Sequence, residues 1–501
     1  MPTLETVIKT LAKYHPKADT DLVRLAYDFA ETAHRGQTRL SGEPYITHSL
    51  ATAQNLADMR LPTALVVAGI LHDVPEDTKY TLLDIKKNFG DEVGHLVAGI
   101  TKLGTLKYRG MDRYAENLRK MFLAMAEDIR VILIKFADRL HNLETLDSQP
   151  EHKRKRIALE SLEIFAPIAN RLGMGDIKGK IEDFSFKHLQ PDEYAWTQGL
   201  IAERLPKLEK HLERAKHEIL NDLKNADIKV ISAHGRLKHI FSLYKKILKY
   251  DKDINKVHDV VALRLIVPTI ADCYAALGII HARWKPLKGR IKDYIAQPKP
   301  NGYQSLHTSV FCDDEIVEFQ IRTPEMHEAA EFGIAAHWQY DEKDKQSTKV
   351  DRTVSWVQDL AALQREMQDQ KTFMKSLQSL KVDVFQNRIF VFTPKGDVIE
   401  LPEDGTPVDF AYSIHTDIGR TCVGARINDV LVSLDTALHS GDVVEIMTDK
   451  NRKAPSADWL KFVKTHGARV KIKSESRSIL SGLFESVVTA TKKPFKKKGN
   501  R

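Results

Sequence analysis

The sequence predicts a multidomain protein that combines an all-α region with α+β regions. Its 501 residues exceed what one hydrophobic core usually organises, and ~150 residues per domain gives about three domains. Apolar residues recur at helical spacing up to about residue 190, and β-rich runs alternate with helices after it. A third, small β-rich module is predicted towards the end of the chain.

Each region has characteristic segments. DLVRLAYDFAETAH and DIRVILIKFADRLHNLETL place apolar residues three and four apart, which is typical of amphipathic helices. The runs VVALRLIV, HTSVF and IVEFQIR predict strands of a mixed α/β domain, and Lys- and Glu-rich helices at 195–225 precede them. Residues 347–382 predict connecting helices, because helical spacing continues without Gly or Pro. RIFVFTPKGDVIELP predicts a hairpin that turns at PKGD, with VLVSL and DVVEIMT as further strands.

Charge and cysteine content limit the partners and the compartment. The chain has 76 Lys and Arg against 68 Asp and Glu, a net charge of +8, which favours anionic partners such as nucleotides or RNA. Cys273, Cys312 and Cys422 lie far apart without a CxxC pair, so we expect neither disulfides nor a thiolate zinc site. We find no signal-peptide pattern and no apolar run of membrane-spanning length. We therefore expect a cytoplasmic protein without membrane partners.

Histidine and aspartate residues recur at positions where apolar helices would present them inward. The residues are His48, His72, Asp73 and Asp138, with Glu76 and Asp77 just after Pro75 and Asn142 one helical turn after Asp138. Proline disfavours helix at the residue before it, so the helix that carries the second histidine is predicted to end after Asp73. An isolated histidine is more often an ordinary core or surface residue, but this set with its acidic pair favours a metal site. Two imidazoles and two carboxylates suit Mn²⁺ or Fe²⁺ better than zinc.

The ordered motifs GEPYITH, LHDVPEDT and ADRLHNLETL resemble the HD-superfamily hydrolase half of the long RelA/SpoT homologues, which make and destroy the alarmone (p)ppGpp. The resemblance implies that Mn²⁺ lowers the pKa of a bound water for attack on the 3′-diphosphate. It implies His48, His72, Asp73 and Asp138 as Mn²⁺ ligands, Glu76 and Asp77 as the catalytic acidic pair, and Arg39 and Asn142 as nucleotide contacts.

Positive charge and aromatic residues cluster between residues 236 and 307, and the P-loop string GxxxxGK[ST] is absent from the sequence. A generic basic surface is one interpretation. Tyr, Asp and Glu interleaved with the cations favour a nucleotide site instead. Phosphoryl transfer needs a metal-holding carboxylate, cations for the phosphates and a group that orients the attacking hydroxyl.

From Gly235 to Trp338 the sequence resembles the (p)ppGpp synthetase domain of the same family, which has a nucleotidyltransferase-like α/β fold. The resemblance implies transfer of the β,γ-diphosphate of ATP to the 3′-hydroxyl of GDP or GTP, with release of AMP. For ATP, it implies that Arg236 and Arg264 flank the adenine and that Lys238 and Lys246 bind the phosphates. For the metal, it implies that Asp259 holds Mg²⁺ and that Glu318 is a metal ligand or base. For the acceptor nucleotide, it implies that Tyr303 stacks on guanine near Lys299, Asn301 and His307. Arg290 and Lys292 belong to the string RIKD, which is similar to the RxKD of bifunctional members rather than the ExDD of synthetase-only members.

VFTPKGDVIELPEDGTPVDFAYSIHTDIGRTCVGARIN resembles the TGS module, which has a β-grasp fold. The resemblance implies that His415 meets the 3′ end of deacylated tRNA, with the ribosome as a further candidate partner; a small structural module is the alternative. The sequence ends without the zinc-finger and ACT regions of long members, so ribosome docking through those regions is not assumed. The final basic run TKKPFKKKGNR is expected to be a disordered tail, with an RNA-contacting arm as the alternative.

Together these resemblances predict a bifunctional enzyme of the stringent response, a GTP/GDP diphosphokinase and guanosine-3′,5′-bis(diphosphate) 3′-diphosphohydrolase. A hydrolase with a weak or silent synthetase, and a tRNA- or ribosome-binding regulator, are the alternatives. The predicted domains are 1–195 for the hydrolase, 196–345 for the synthetase, 346–385 for a helical linker, 386–450 for TGS, and 451–501 for a partial helical region with the basic tail.

Overall fold

The computed structural model describes most of the chain in two compact units, which lie within Met1–Gln368 and Asp369–Arg501. The described residues are 2–104, 121–257, 260–299, 301–312, 315–339, 388–395, 397–439, 441–452, 454–465 and 467–475. Asp259, the predicted linker helices and the basic tail therefore lie outside the described residues.

The described residues up to Leu189 fold as helices, in agreement with their apolar spacing. Polar residues start several of them, since the side chains of Thr3 and Asp19 accept hydrogen bonds from backbone N–H groups of the first turn. The helices are α1 (Leu4–Tyr14), α2 (Thr20–Ala33), α3 (Ile46–Asp58), α4 (Thr63–Leu71), α5 (Val74–Asp77), α6 (Leu82–Gly104, kinked at Gly90), α7 (Arg130–Glu144), α8 (Glu151–Glu160), α9 (Ala166–Arg171) and α10 (Gly175–Leu189), with a π-helical turn at Ser161–Phe165.

Helices α3, α4 and α7 pack together around a buried apolar layer. Gly69 lets α4 approach α3 closely, because an added Cβ would lie only 2.4 Å from Cδ1 of Leu56. Helix α4 ends at Leu71, earlier than the predicted end at Asp73. Pro75 then lies in the first turn of α5, where a missing N–H breaks no helical hydrogen bond. His72 and Asp73 consequently occupy the break between two helices.

A five-stranded mixed sheet organises the rest of this unit, in the order β1-β2-β5-β4-β3, with only β2 and β5 parallel. Its elements are α11 (Pro191–Asn225), β1 (Ser232–Leu237), α12 (Ile240–Lys249), β2 (Val261–Ile266), α13 (Ile270–Arg283), β3 (Lys292–Asp293), β4 (Leu306–Cys312), β5 (Glu315–Arg322) and α14 (Pro324–Phe332). Leu263 and Phe319 are paired on the core face, so strand alternation directs Arg264 and Glu318 to the other face. Helix α11 runs across the predicted domain boundary at 195/196.

The second unit contains a two-stranded hairpin and a three-stranded antiparallel sheet in the order β10-β8-β9. Its elements are β6 (Arg388–Phe392), β7 (Val398–Pro402), α15 (Pro407–Ile414), α16 (Thr416–Thr421), β8 (Cys422–Ile427), β9 (Val430–Val432) and β10 (Val444–Thr448). Thr406 and Asp409 form a capping box at the start of α15. Buried Asp409 also accepts backbone N–H groups of Lys464 and Thr465, which fixes the following segment to this helix.

The predicted fold class is confirmed, since an all-α domain, a mixed α/β domain and a small β-rich module are each observed. The hairpin around PKGD and the strands at VLVSL and DVVEIMT are present. Strand β1 was not predicted. All three cysteines lie among the described residues, and they are buried without a disulfide bond. Among the helices described, none combines the length and the apolar character needed to span a bilayer.

Candidate active sites

Three helices bring predicted ligands together in the all-α domain. His48 on α3, His72 just after α4 and Asp138 on α7 are 2%, 1% and 4% exposed. Each offers a ligand atom, and these atoms lie within 4.8 Å of one another. Asp73 borders the same space, with Oδ2 3.4 Å from Nε2 of His48 and Oδ1 3.2 Å from Nε2 of His72. The four residues predicted as metal ligands therefore converge.

The His72 ring is oriented so that one nitrogen remains available for a cation. Nδ1 lies 2.8 Å from the carbonyl oxygen of Gly69 and must donate, because a carbonyl only accepts. Buried Nε2 lies 3.2 Å from Oδ1 of Asp73 but meets no group with hydrogen-bond geometry within the described part of the chain. Burial alone would lower the pKa of His72, but the carboxylates of Asp73 and Asp138 outweigh it and raise the pKa to about 9. An unsatisfied ring nitrogen beside two carboxylates fits a divalent cation.

Neighbouring cations keep both carboxylates of this cluster ionised. Burial alone would raise their pKa values, but His72 beside Asp73 and Lys135 beside Asp138 hold both pKa values well below the usual range. Nζ of Lys135 donates to Oδ2 of Asp138 at 2.7 Å, and Asn142 donates its amide to Oδ1. Sequence reasoning missed Lys135, although its position one helical turn before Asp138 was a signal.

The acidic pair lies at the edge of the cluster. Burial raises the pKa of Glu76, and the carboxylates of Asp73 and Asp77 add to this rise against the opposing charge of Lys135. The hydroxyl of Tyr45 lies 2.8 Å from Oδ2 of both Asp73 and Asp77. Burial and these two carboxylates raise the pKa of Tyr45 far above its ordinary value, so the hydroxyl keeps its hydrogen. Tyr45 therefore bridges a ligand and a catalytic candidate, a role that the sequence analysis did not assign.

Two further contacts surround the cluster. Arg39 donates to Oδ1 of Asn142 at 2.9 Å, so the two predicted nucleotide contacts lie side by side. Nδ1 of His141 lies 2.8 Å from Nδ1 of His48, a contact that sequence reasoning also missed. Burial is the main cause that lowers the pKa of His141 to about 3. His141 is therefore neutral at physiological pH.

A polar pocket lies beside the sheet in the mixed domain. It is lined by Lys246, Tyr250, Lys256, Leu287, Arg290, Lys292, His307, Ser309 and Glu318. Five of these residues, Lys246, Arg290, Lys292, His307 and Glu318, were predicted to bind nucleotide or metal. Oε1 of Glu318 lies 3.4 Å from Nδ1 of His307 and accepts a hydrogen bond from Gln320 at 2.9 Å. The pocket combines cations for phosphates with a carboxylate.

The ring of Tyr303 contacts two cations near this pocket. Nζ of Lys299 and Cζ of Arg322 each lie 4.8 Å from its ring centroid. Arg322, which is fully buried, donates to the Tyr303 hydroxyl, and the same hydroxyl lies 2.7 Å from Nε2 of His307. Lys299 is exposed as a whole residue, but loss of hydration at its ammonium group, with repulsion from Lys292 and Arg322, lowers its pKa to about 8.

Arg264 is held inside the mixed domain. It is 3% exposed, and its NH1 lies 2.9 Å from Oε1 of Glu331. Burial, with the charge of Arg322 nearby, lowers the pKa of Arg264 to about 10. Its Nε and NH2 groups find no hydrogen-bond partner among the described residues. Adenine contact by Arg264 and half-buried Arg236 stays a prediction.

The remaining predicted site residues lie at separate places. The backbone N–H of Lys238 donates to the carbonyl of Val260 at 3.0 Å, just beyond the last pair of β1 and β2. The amide of Asn301 donates to the backbone oxygen of Asn170 at 3.1 Å, which connects it to the all-α domain. In the second unit His415 caps α16, and its Nδ1 accepts the backbone N–H of Asp417 at 3.2 Å.

Comparisons with known proteins match three stretches of the chain to described families. Residues 26–175 match the HD domain, residues 235–346 match the region found in RelA / SpoT proteins, and residues 389–448 match the TGS domain. GTP pyrophosphokinase of Myxococcus xanthus is 46% identical over 469 residues, which cover 93% of this chain and 61% of that protein. The bifunctional (p)ppGpp synthase/hydrolase RelA of Mycobacterium tuberculosis is 45% identical over 482 residues, which cover 94% and 64%.

The chain belongs to the RelA/SpoT family. A third relative, the guanosine-3′,5′-bis(diphosphate) 3′-pyrophosphohydrolase of Aquifex aeolicus, is 45% identical over 473 residues, covering 94% of this chain and 66% of that protein. This RelA/SpoT chain thus spans between 61% and 66% of the length of these three relatives. Its buried histidine cluster lies in the matched HD region, and its polar pocket lies in the region matched to RelA / SpoT proteins.

Proposed function

We propose that this RelA/SpoT chain both synthesises (p)ppGpp, from ATP and GDP or GTP, and hydrolyses it to GDP or GTP and diphosphate. The observation that carries the proposal is the convergence of His48, His72 and Asp138 beside the acidic pair of α5, in a chain that also has a cationic pocket. The three relatives are named as a pyrophosphokinase, a pyrophosphohydrolase and a bifunctional synthase/hydrolase, which supports both directions.

For hydrolysis, His48, His72, Asp73 and Asp138 would hold a divalent ion, which we propose is Mn²⁺ because imidazole and carboxylate ligands without thiolates suit it. The ion would supply acidity to a coordinated water and positive charge beside the 3′-diphosphate. Glu76, whose pKa burial raises, would exchange a proton with water or the leaving 3′-oxygen. Tyr45 would hold Asp77 in place through its hydroxyl, and Arg39 with Asn142 would contact the nucleotide.

For synthesis, Glu318 would orient or deprotonate the 3′-hydroxyl of GDP or GTP, whose oxygen then forms a bond to the β-phosphorus of ATP as AMP leaves. Lys246, Arg290 and Lys292 line the same pocket and would balance the charge of the phosphates. The aromatic face of Tyr303 would stack on guanine, with Lys299, Asn301 and His307 nearby. Mg²⁺ would be held by Glu318 together with Asp259, which lies outside the described residues.

The test resolves the nucleotides formed by the purified chain from ATP, GDP and Mg²⁺, and then from ppGpp and Mn²⁺. Asp138→Asn should lower hydrolysis more than about 100-fold and leave synthesis intact, since a catalytic metal contributes several kcal/mol and ~1.4 kcal/mol is tenfold. Glu318→Gln should do the reverse, because a general base contributes about 100-fold or more.

The outcomes separate the alternatives. Unchanged AMP release in Glu318→Gln would remove synthesis from this pocket. Hydrolysis without any synthesis by the wild type would favour a hydrolase with a silent synthetase. Loss of both activities in either variant would point to misfolding. Thermal unfolding of each variant is the control, since a transition equal to that of the wild type excludes misfolding.

We also propose the finer assignments of domain, compartment and partner. The boundaries at 195/196, 345/346, 385/386 and 450/451 and a cytoplasmic location follow the sequence analysis. The side chain of His415 is 65% exposed at the start of α16, which leaves it accessible to deacylated tRNA. Binding of deacylated tRNA that weakens in His415→Ala, and weakens as salt rises, would support a regulatory role. Equal binding by both proteins would contradict it.

A further inference from the structure

His48 and His141 contact each other through their Nδ1 atoms at a distance of 2.8 Å. His48 comes from α3 and His141 from α7, three residues after Asp138. Both rings are buried, at 2% and 8% exposed, and their centroids lie 5.0 Å apart. The group whose ligand atoms lie within 4.8 Å of one another contains His48, His72 and Asp138. His141 therefore reaches this group through the His48 ring.

A contact between two ring nitrogens allows only one hydrogen between them. Either Nδ1 of His48 donates to His141, or Nδ1 of His141 donates to His48. The other nitrogen of His48, Nε2, faces the carboxylates of Asp73 and Asp138 at 3.4 Å each. A cation held by these carboxylates needs the Nε2 lone pair. The neutral His48 ring must then carry its hydrogen on Nδ1, and His141 must accept it.

We propose that His141 is a positioning residue that fixes the tautomer and the ring orientation of His48 for a divalent cation. The inference rests on the metal site of the proposed function and adds to it a group that touches neither metal nor substrate. One helix thereby supplies a ligand, Asp138, and two residues that orient ligands, since Asn142 donates to Asp138 and His141 accepts from His48. Partners of this kind orient metal-bound imidazoles and raise their basicity.

The test measures Mn²⁺ binding to the full, metal-free chain without nucleotide, by electron paramagnetic resonance of free Mn²⁺. His141→Asn and His141→Leu form a matched pair, because the Asn Oδ1 occupies the place of Nδ1 and can accept, whereas Leu has a similar shape without an acceptor. We expect His141→Leu to bind Mn²⁺ about 10- to 100-fold more weakly, the usual effect of losing such a partner. His141→Asn should bind closer to the wild type than to His141→Leu, with equal thermal unfolding of the metal-free proteins.

Each outcome bears on the inference. Wild-type affinity in His141→Leu would overturn it, and so would equal weakening in both variants, because the acceptor would then be irrelevant. No Mn²⁺ binding by the wild type would remove the metal site itself, a different failure. If His141→Leu does not fold, His141→Gln is measured in its place. The side-chain oxygen of Gln lies near the position of Nε2 instead of Nδ1, so it is displaced from the place where His48 donates. Equal affinities of the Asn and Gln variants would then contradict the inference.

Discussion

In the all-α domain, ligand atoms from three helices already lie within 4.8 Å of one another, whereas in the mixed domain the cations contact aromatic rings and carboxylates of the protein itself. His48 and His72 are buried and their nitrogens face one space. Lys299 and Arg322, by contrast, each contact the ring of Tyr303, and Arg264 pairs with Glu331. The first site is assembled before a ligand arrives, whereas three cations of the second domain, Lys299, Arg322 and Arg264, already contact other groups of the protein.

Because of this difference, we expect the two sites to respond differently to substitution of their residues. A cluster whose members sit on separate, well-packed helices can lose one ligand while the helices keep their apolar contacts. A buried cation that pairs with a carboxylate and orients an aromatic ring serves folding and binding together. We therefore expect substitutions in the all-α domain to separate activity from stability, and substitutions of buried cations in the mixed domain to change both.

Arg322→Leu should produce the largest combined effect. The guanidinium donates to Tyr303, to Oγ of Ser305 at 3.2 Å and to Gln320 at 3.3 Å, and it lies 3.8 Å from the Glu331 carboxylate. Loss of the guanidinium should lower the free energy of unfolding by about 3 kcal/mol, because the buried acceptors on Ser305 and Gln320 and the partly buried Glu331 carboxylate lose a partner. It should also weaken guanine nucleotide binding, since Tyr303 loses its orientation. Urea unfolding followed by tryptophan fluorescence and nucleotide titration measure the two effects.

Arg290→Leu is the control for this prediction. Arg290 lines the polar pocket and is exposed, and surface substitutions usually change stability by less than about 0.5 kcal/mol. It should therefore weaken nucleotide binding without changing urea unfolding. Equal stability of Arg322→Leu and wild type would show that the buried cation is not needed for folding, and the contrast between the two domains would fail.

The ligands of the all-α domain could be predicted because polar residues at the inward positions of apolar helices are conspicuous. His72 follows a helix in which Leu65, Val66 and Ile70 are fully buried, and a polar residue at the end of such an apolar run indicates a functional role. The fold class followed from helical and alternating periods in the same way. The partners of these ligands could not be predicted, because Tyr45 and His141 are ordinary members of their motifs. Tyr45 acquires its role only where the start of α3 meets Asp73 and Asp77, and His141 only where α7 meets α3.

The mixed domain was harder to predict for a related reason. Strand β1, SAHGRL, has few β-branched or aromatic residues, and it forms because β2 offers a strand to pair with. Arg322 ends the run IVEFQIR, which predicts a strand but gives no sign that this arginine is buried. Its guanidinium contacts Tyr303, in the loop before β4, and Glu331, on α14. Such long-range pairing leaves no local pattern in the sequence.

Tyr45→Phe should lower hydrolysis about 10- to 100-fold, because hydrogen bonds to charged groups contribute ~1.5–3 kcal/mol. The substitution removes the hydroxyl near Asp73 and Asp77 but keeps the ring, which stacks on His34 with centroids 4.5 Å apart. Urea unfolding should change little, as expected for a preassembled site. Tyr27→Phe is the matched control, since its hydroxyl bonds Glu31 on an exposed surface. Equal ppGpp turnover by Tyr45→Phe and Tyr27→Phe would exclude a role for the bridge.

The smallest effect concerns pH and the Tyr303 cations. The pKa of Lys299 lies at about 8, below its ordinary 10.5, so the ammonium loses its charge as pH rises through 8. Guanine nucleotide binding should weaken by about tenfold between pH 7.5 and 9.5, because the phosphates favour the protonated form. Stability without nucleotide should change in the opposite sense: the unfolded chain keeps the Lys299 proton up to pH 10.5, so this group favours folding increasingly above pH 8. Lys299→Arg stays charged, so it should remove the pH dependence of both nucleotide binding and stability. If nucleotide binding still weakens with pH in that variant, another group causes the pH dependence.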